Sequence, residues 1–221
     1  MCGRFVRHTN VHELARLVGA LDFTGNSEPS YNVAPTQNIH NAYDTKDGRV
    51  LKRMRWGLVP RWAKDATKLH PINARAETVA SNGVFRTAFR QGRTLIPADG
   101  FYEWRKTESG KQPYYIYRHD GAPMWFAGVC DTWRGEGERL TSCAIITTSA
   151  NEVVKPLHDR MPVILTEEAW AAWLDRSNDD TASLERMLRP CDESMITLRP
   201  VSKKVNNTRN DEPDLIEPIS A

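Results

Sequence analysis

The second residue of the chain is Cys2, directly after an initiator methionine. Met1 is normally removed when the next side chain is small, and removal would leave an α-amine and a thiol on adjacent carbons. The α-amine has a reference pKa of about 7.7–8.0, against roughly 10.4 for lysine, so roughly a few hundred times more of it is free base. This amine can attack an aldehyde to form a Schiff base, which the thiol can close to a thiazolidine. The alternative is that Cys2 is a small buried hydrophobic residue, as free cysteines most often are.

Polar side chains alternate along the segment that follows Pro71, at Asn73, Arg75 and Glu77. On an extended segment, alternate residues share one face, so these three side chains are expected to point the same way. Such a face is either solvated or part of a site.

Two further segments carry candidate acid/base groups. Glu103 lies between Tyr102 and Trp104, and a carboxylate held against aromatic rings is poorly solvated, which raises its pKa. Exposure on the far face of a strand is the competing interpretation. His158 begins a His-Asp-Arg run before an apolar strand, where it could supply an acid/base group beside an anion clamp. A lone histidine is also often purely structural.

Positive charge is concentrated in the middle of the chain. Residues 52–93 contain ten lysines and arginines against two acids, a net +8, whereas the whole chain carries only +2. This asymmetry favours a surface that faces a polyanion, although a solvated basic face without a ligand remains open. Within the segment, Trp56 and Trp62 alternate with cations, the pattern that single-stranded nucleic acid requires. Trp56 is assigned to the core, and Trp62 is left open between core and stacking.

Composition limits the classes of protein to which the chain can belong. The chain has 221 residues, 40% of them hydrophobic and 26% charged, which is typical of a soluble globular domain. No apolar run is long enough to span a membrane, and the N-terminus lacks the features of a signal peptide, so a cytoplasmic protein without a membrane partner is expected. The four cysteines are widely spaced with no CxxC pair, so neither a metal site nor a disulfide framework is expected. No cofactor is expected.

Hydrophobic patterning predicts alternating short elements in one domain. A strand over 2–6 precedes a helix that begins at Asn10, whose apolar face is Leu14, Leu17 and Val18. Further strands are predicted over 39–43, 50–56, 113–118, 123–130, 141–148 and 195–201. Further helices are predicted over 84–91, 167–174 with Thr166 as cap, and 181–189.

Eight sequence blocks together resemble one family. They are MCGRF, YNVAPTQ, WGLVPRW, INARAET, ADGFYEW, ITTSA, HDRMPVIL and VSKKVNNTRND, and they are similar to those of the SRAP (SOS-response-associated peptidase) family. The resemblance implies an α+β fold with a curved, barrel-like, mostly antiparallel sheet core and flanking helices. It places a single domain at 2–211 and a C-terminal tail at 212–221. It also implies binding of single-stranded DNA and covalent capture of abasic sites, which shields them during the SOS response to DNA damage.

The resemblance assigns roles to individual residues. The catalytic set is Cys2, Asn73, Glu103 and His158: a crosslinking residue, an amide that positions it, an acid that moves protons, and a histidine that protonates the sugar oxygen. The DNA-binding set is Arg4, Asn32, Pro35, Trp62, Arg75, Arg86, Thr147 and Arg160. The partner is single-stranded DNA that contains abasic sites, bound by a monomer associated with the nucleoid.

The sequence departs from the family in the region expected to wedge DNA bases apart. Many members have a second aromatic residue directly after the last tryptophan of WGLVPRW, where this chain has Ala63. Gly83 stands where some relatives have a basic residue, and Arg86 replaces it only in part. Stacking is therefore expected from Trp62 alone or from residues 64–70.

Other functions also fit an N-terminal cysteine. A Schiff base would allow strand scission by β-elimination. The Cys2 thiol could instead attack an amide, as in an N-terminal-nucleophile hydrolase or a peptidase that removes its own Met1. A plain single-strand-binding module is the third alternative. The main hypothesis requires the nitrogen and sulfur of Cys2 to be exposed in a cationic groove.

Overall fold

Strands make up most of the secondary structure. The computed structural model describes residues 2–108, 110–135 and 137–219. The strands are β1 (Phe5–Arg7), β2 (Leu21–Asp22), β3 (Ser30–Val33), β4 (Asn38–Thr45), β5 (Gly48–Trp56), β6 (Asn73–Arg75), β7 (Arg93–Ala98), β8 (Gly100–Thr107), β9 (Gly110–Arg118), β10 (Met124–Arg134), β11 (Arg139–Ser149), β12 (Arg160–Pro162) and β13 (Ile196–Pro200). The α-helices are α1 (Val11–Val18), α2 (Arg86–Gln91), α3 (Glu167–Leu174) and α4 (Thr181–Arg186).

Five of these strands close into a ring. β11 pairs with β10, β10 with β7, β7 with β4 and β4 with β5, all antiparallel. β5 then pairs in parallel with β11, where Cys143 lies opposite Trp56. β2 extends the sheet beyond β5, and β12 and β6 pair with β11. The expected α+β fold with a barrel-like, mostly antiparallel core is confirmed.

A second, antiparallel sheet carries the N-terminus. Its order is β13-β9-β8-β1-β3. Phe5 on β1 lies opposite Phe101 on β8, and its ring packs against Trp56 at 5.3 Å and Phe126 at 6.2 Å between centroids. Because Trp56 and Phe126 belong to the ring of strands, Phe5 anchors the start of the chain between the two sheets.

All four predicted helices occur, and α2 and α4 are shorter than predicted. α1 begins after Asn10, whose side chain accepts a hydrogen bond from the His12 N–H at 2.9 Å, and it ends at Gly19 in the left-handed region, φ +65°. α3 also occupies the predicted position. Thr166 occupies the predicted N-cap position with an extended backbone, but its side chain makes no hydrogen bond to the helix backbone.

The short strands β3 and β6 depend on their partners. Residues 30–33 pair with β1, and β6 pairs with β11 so that Asn73 lies opposite Ile145. The C-terminal segment also packs on the domain, since Leu215 is fully buried in a cluster with Val6 and Tyr102. Among the described residues, none of the helices has the length and apolarity needed to cross a bilayer.

Candidate active site

Cys2 lies in the core between the two sheets. Its residue is 0% exposed, and it belongs to the cluster that contains Phe5 and Trp56. The expectation that this residue is exposed is therefore wrong for the chain that still carries residue 1. Burial, followed by the nearby Glu103 carboxylate, raises the pKa of the Cys2 thiol, so the thiol is neutral at neutral pH. Met1, whose removal was expected, lies outside the described residues.

Asn73 holds the backbone of Cys2. Its Nδ2 donates a hydrogen bond to the Cys2 carbonyl oxygen at 3.0 Å. The Asn73 Oδ1 is buried and has no hydrogen-bond partner in the described part of the chain. The parallel pairing of β6 with β11 brings Asn73 here, across 71 residues of sequence. A buried acceptor without a donor is costly, so this oxygen is available to a group that enters beside Cys2.

Glu103 is on the buried face of β8. It is 3% exposed, which decides between the two interpretations of its sequence in favour of burial. Desolvation by burial raises its pKa, and the negative charge of Asp159 raises it further. A carboxyl group with a raised pKa can hold a proton at a pH where an exposed glutamate is ionised, so Glu103 is suited to acid/base work.

His158 and Glu103 line the same cleft, of about 710 Å³. The His158 Nδ1 lies 2.9 Å from the Arg160 backbone N–H, which donates to it, and 2.7 Å from the Asp159 carboxylate. Burial lowers the pKa of His158, and this outweighs the attraction of Asp159. Trp104 and Asn206 also border the cleft, joined by a hydrogen bond from the indole Nε1 to the amide Oδ1 at 2.8 Å.

The arginines of the predicted DNA-binding set fall into two groups. Arg160 forms a bidentate ion pair with the Glu77 carboxylate, at 2.6 and 2.9 Å, and also donates to the Thr147 carbonyl. Arg4 donates to the Asn32 Oδ1 at 2.6 Å and to the Val205 carbonyl at 2.8 Å. By contrast, Arg75 and Arg86 are exposed. The exposed arginines are the ones placed to meet an incoming phosphate.

Asn32 binds the C-terminal segment rather than facing solvent. It is 1% exposed, and its Nδ2 lies within 2.7 to 3.2 Å of the carbonyl oxygens of Val205, Asn207 and Asn210. With Arg4 on its Oδ1, this amide connects the N-terminal segment to residues 205–210. No local pattern in the sequence indicates this clamp, because its partners are more than 170 residues away.

The predicted stacking region is partly exposed. Trp62 is 56% exposed, and its indole Nε1 donates to the Gly83 carbonyl at 3.2 Å. The backbone of Ala63 is fixed, since its carbonyl accepts a hydrogen bond from the Trp133 indole Nε1 at 2.7 Å. Pro35 is half-buried and precedes Thr36, whose φ of +74° is unusual for a β-branched residue.

Thr147 is fully buried beside β6. Its hydroxyl lies 3.4 Å from the Ala74 carbonyl, and its own carbonyl accepts from the Ala76 N–H at 2.8 Å. It therefore supports the strand that carries Asn73. No group of three His, Cys, Asp or Glu side chains placed to hold a metal ion occurs among residues 2–108, 110–135 and 137–219.

Comparison with known proteins identifies the family. The family model "SOS response associated peptidase (SRAP)" matches residues 1–208. The chain belongs to the SRAP family. The resemblance carried by the eight sequence blocks is thereby confirmed, and the SRAP match covers both sheets and all the predicted catalytic residues.

Individual SRAP relatives match over nearly the whole chain. Abasic site processing protein YoqW of Bacillus subtilis is 40% identical, over 98% of this chain and 99% of that protein. Abasic site processing protein YedK of Escherichia coli is 33% identical, over 99% of this chain and 100% of that protein. A crystal structure of a protein from Bacteroides thetaiotaomicron superposes with a TM-score of 0.90 at 26% identity, covering 99% of this chain and 100% of that one.

Proposed function

We propose that this SRAP chain binds single-stranded DNA and captures abasic sites covalently through Cys2 once Met1 has been removed. The observation that carries the proposal is that Asn73 and Glu103 converge on Cys2 from different sheets. The names of the relatives, abasic site processing proteins, agree with this lesion as the target. Its expected cytoplasmic location and its part in the SOS response follow from that substrate and stay predictions.

The chemistry uses both reactive groups of Cys2. The α-amine adds to the aldehyde of the opened sugar, and the resulting carbinolamine loses water to give an imine. The thiol sulfur then bonds to the imine carbon while its proton passes to the imine nitrogen, which closes the thiazolidine. Glu103, whose pKa is raised by burial, donates the proton that the leaving water needs. His158, in the same cleft, protonates the ring oxygen of the sugar as it opens.

The buried state of Cys2 makes removal of Met1 a requirement in this mechanism. Cys2 is fully buried with the chain intact, whereas Glu103 beside it already borders the cleft. Loss of the preceding residue converts an amide nitrogen to an amine and removes chain from this region. The Asn73 Oδ1, buried without a partner among the described residues, then accepts a hydrogen bond from that amine.

Two related activities would use the same reactive groups. The imine also permits β-elimination, so strand scission on the 3′ side is part of the proposal. A hydrolase that uses the Cys2 thiol to attack an amide is the alternative. Autocatalytic removal of Met1 would use the same thiol.

A Cys2→Ser variant separates the two reactive groups. It keeps the α-amine, so incubation with single-stranded DNA containing one abasic site should give an adduct only when borohydride reduces the imine. The wild-type protein should give an adduct that survives denaturation without reduction. Intact mass measured on the same samples reports whether Met1 is absent. Cys191→Ser, which changes a half-buried cysteine elsewhere, should behave as wild type.

A cleavable N-terminal extension tests the requirement for a free amine. The extended protein should form no adduct, and the same sample should gain activity when a site-specific protease leaves Cys2 first. An adduct formed by the uncleaved protein would refute capture through the α-amine. Cleavage of peptides without any DNA adduct would favour the hydrolase, and reversible binding alone would favour a plain single-strand-binding module.

A further inference from the structure

The cleft at Glu103 and His158 continues onto a basic hairpin. The residues lining it include four cationic side chains that lie outside the basic segment 52–93: Arg105, Lys106, Lys111 and Lys155. All four are exposed. We name this surface, formed by these four residues and Trp104, the hairpin surface. It belongs to β8, β9 and the loop before His158, and none of its residues is in the predicted catalytic or DNA-binding set.

The register of the hairpin puts like charges together. Lys106 on β8 lies directly opposite Lys111 on β9, and Arg105 lies opposite Gln112. Like charges at directly opposed positions destabilise an antiparallel pair. The register therefore places two exposed lysines directly opposite each other beside the cleft, where a bound polyanion would offset their repulsion.

An aromatic ring accompanies these cations. Trp104 is half-buried at the start of the hairpin surface, with its indole Nε1 fixed by Asn206 at 2.8 Å. A ring held in place beside a row of cations is the combination that binds single-stranded nucleic acid, because bases stack on the ring and phosphates follow the charges. Lys155 carries its own ion pair with Glu152 at 2.9 Å, so Lys106 and Lys111 are the better probes.

The hairpin surface lies next to Glu103, whereas the exposed Arg75 lies next to Asn73, the other polar residue beside Cys2. Arg75 lies two residues beyond Asn73 on β6, which pairs with β11 of the ring, whereas Lys106 lies three residues beyond Glu103 on β8, in the second sheet. At about 3.4 Å per residue, Lys106 is about 10 Å along the strand from Glu103. A DNA strand with its lesion at Cys2 would meet one basic surface on each side.

We infer that the hairpin surface binds the phosphates of one flank of the single strand, while Arg75 and Arg86 bind the other flank. This rests on the proposed function for the identity of the strand, but it concerns binding and not the covalent step. Its specific consequence is directional. Removing charge from the hairpin surface weakens binding only to DNA that has a flank on that side of the lesion.

The test measures binding to single-stranded oligonucleotides that carry an unreactive tetrahydrofuran analogue of the abasic site. One has both flanks, one is trimmed close to the lesion on its 5′ side, and one on its 3′ side. The variant is Lys106→Gln/Lys111→Gln. For the two-flank DNA, its slope of log affinity against log salt should be smaller than that of the wild type by about 1.4, since each lost phosphate contact removes about 0.7. For the trimmed DNA that lacks the flank bound by the hairpin surface, the affinity of the variant should equal that of the wild type.

Two matched variants control for charge and folding. Lys106→Arg/Lys111→Arg keeps both charges and should retain the wild-type slope. Arg16→Gln/Lys46→Gln removes two charges from α1 and the β4–β5 turn, both exposed, and should also bind as wild type.

Equal loss of affinity for all three oligonucleotides would overturn the inference, and so would an unchanged slope or a wild-type protein that binds none of them. Because the analogue cannot react, this outcome is independent of covalent capture. If the charge loss weakens binding on one flank only but the protein forms no adduct with true abasic DNA, the inference about the hairpin surface stands and the proposed covalent capture is refuted.

Discussion

Replacing Glu103 by glutamine separates its proposed catalytic role from its effect on stability. Glu103→Gln keeps the shape of a side chain that is 3% exposed but removes the proton that the carboxyl group can donate. General acid–base catalysis contributes about 10²–10⁴ in rate, which corresponds to about 2.7–5.4 kcal/mol of activation free energy. We therefore expect covalent capture at neutral pH to slow by at least about a hundredfold, measured as adduct formed against time under single-turnover conditions.

The pH dependence should change in shape as well as height. In the wild type, capture rises with pH as the Cys2 α-amine becomes free base, near about 7.7–8.0. Capture also needs protonated Glu103, which keeps its proton to a higher pH than an ordinary glutamate because burial raises this pKa. The glutamine variant should keep the rising limb and lose the dependence that belongs to Glu103.

Glu103→Gln should slow capture without lowering the stability of the folded protein. Because the pKa of Glu103 is raised in the folded state, the unfolded chain ionises first as the pH rises. The folded state is therefore penalised progressively above the unfolded pKa of about 4.3, and fully above the folded pKa. Glu103→Gln removes this penalty, so its free energy of unfolding at pH 7 should be no lower than that of the wild type.

A matched acid gives the control. Glu108 is exposed in the turn of the same hairpin, so Glu108→Gln removes the same charge and should leave both rate and stability nearly unchanged. If Glu103→Gln captured abasic DNA within about threefold of the wild-type rate, the assignment of the general acid to this residue would be refuted. A loss of rate that matched a loss of folded protein in urea would also refute it.

Two further substitutions test the buried polar contacts. Asn32→Ala removes the amide shared by the Asn207 and Asn210 carbonyls and one of two acceptors of Arg4, which keeps its bond to the Val205 carbonyl. We expect a loss of about 3 kcal/mol in urea unfolding, at roughly 1–3 kcal/mol for each buried group left unsatisfied, and faster proteolysis beyond Val205. Unchanged proteolysis would contradict the clamp. The Arg93 guanidinium donates to five backbone carbonyls, whereas lysine has only three donors. Arg93→Lys should therefore lower Tm by about 2–4 °C for each kcal/mol lost without changing the capture rate, and an unaltered Tm would show that these bonds contribute nothing.

The longer elements could be predicted because their signals are local. Asn10 and the apolar face of α1 specify a helix within about one turn of sequence, and the alternating residues of β10 and β11 specify strands. The three-residue strand β6 carries no such signal of its own. β6 forms a strand only where Ile145 of β11 lies beside Asn73, and that pairing depends on the closed ring.

The proposed catalytic residues could be named from the sequence, but whether each is buried or exposed could not. The aminothiol of Cys2 follows from its position next to Met1, and the charge of segment 52–93 follows from composition. For Glu103, the sequence left burial and exposure equally open. For Cys2, the expected exposure was wrong, because Phe5 anchors the N-terminal segment between the two sheets.

The sequence by itself determined the family, the reactive groups at the N-terminus and the excess of positive charge, since each is a property of residue type and order. Only the tertiary structure decided which groups are desolvated and which cationic side chains already bind other residues of the protein. Desolvation raises the pKa of Glu103 and of the Cys2 thiol, and Asn32 accepts a hydrogen bond from the half-buried Arg4. These outcomes depend on contacts between residues far apart in the chain, and the energy of a charge depends on what surrounds it.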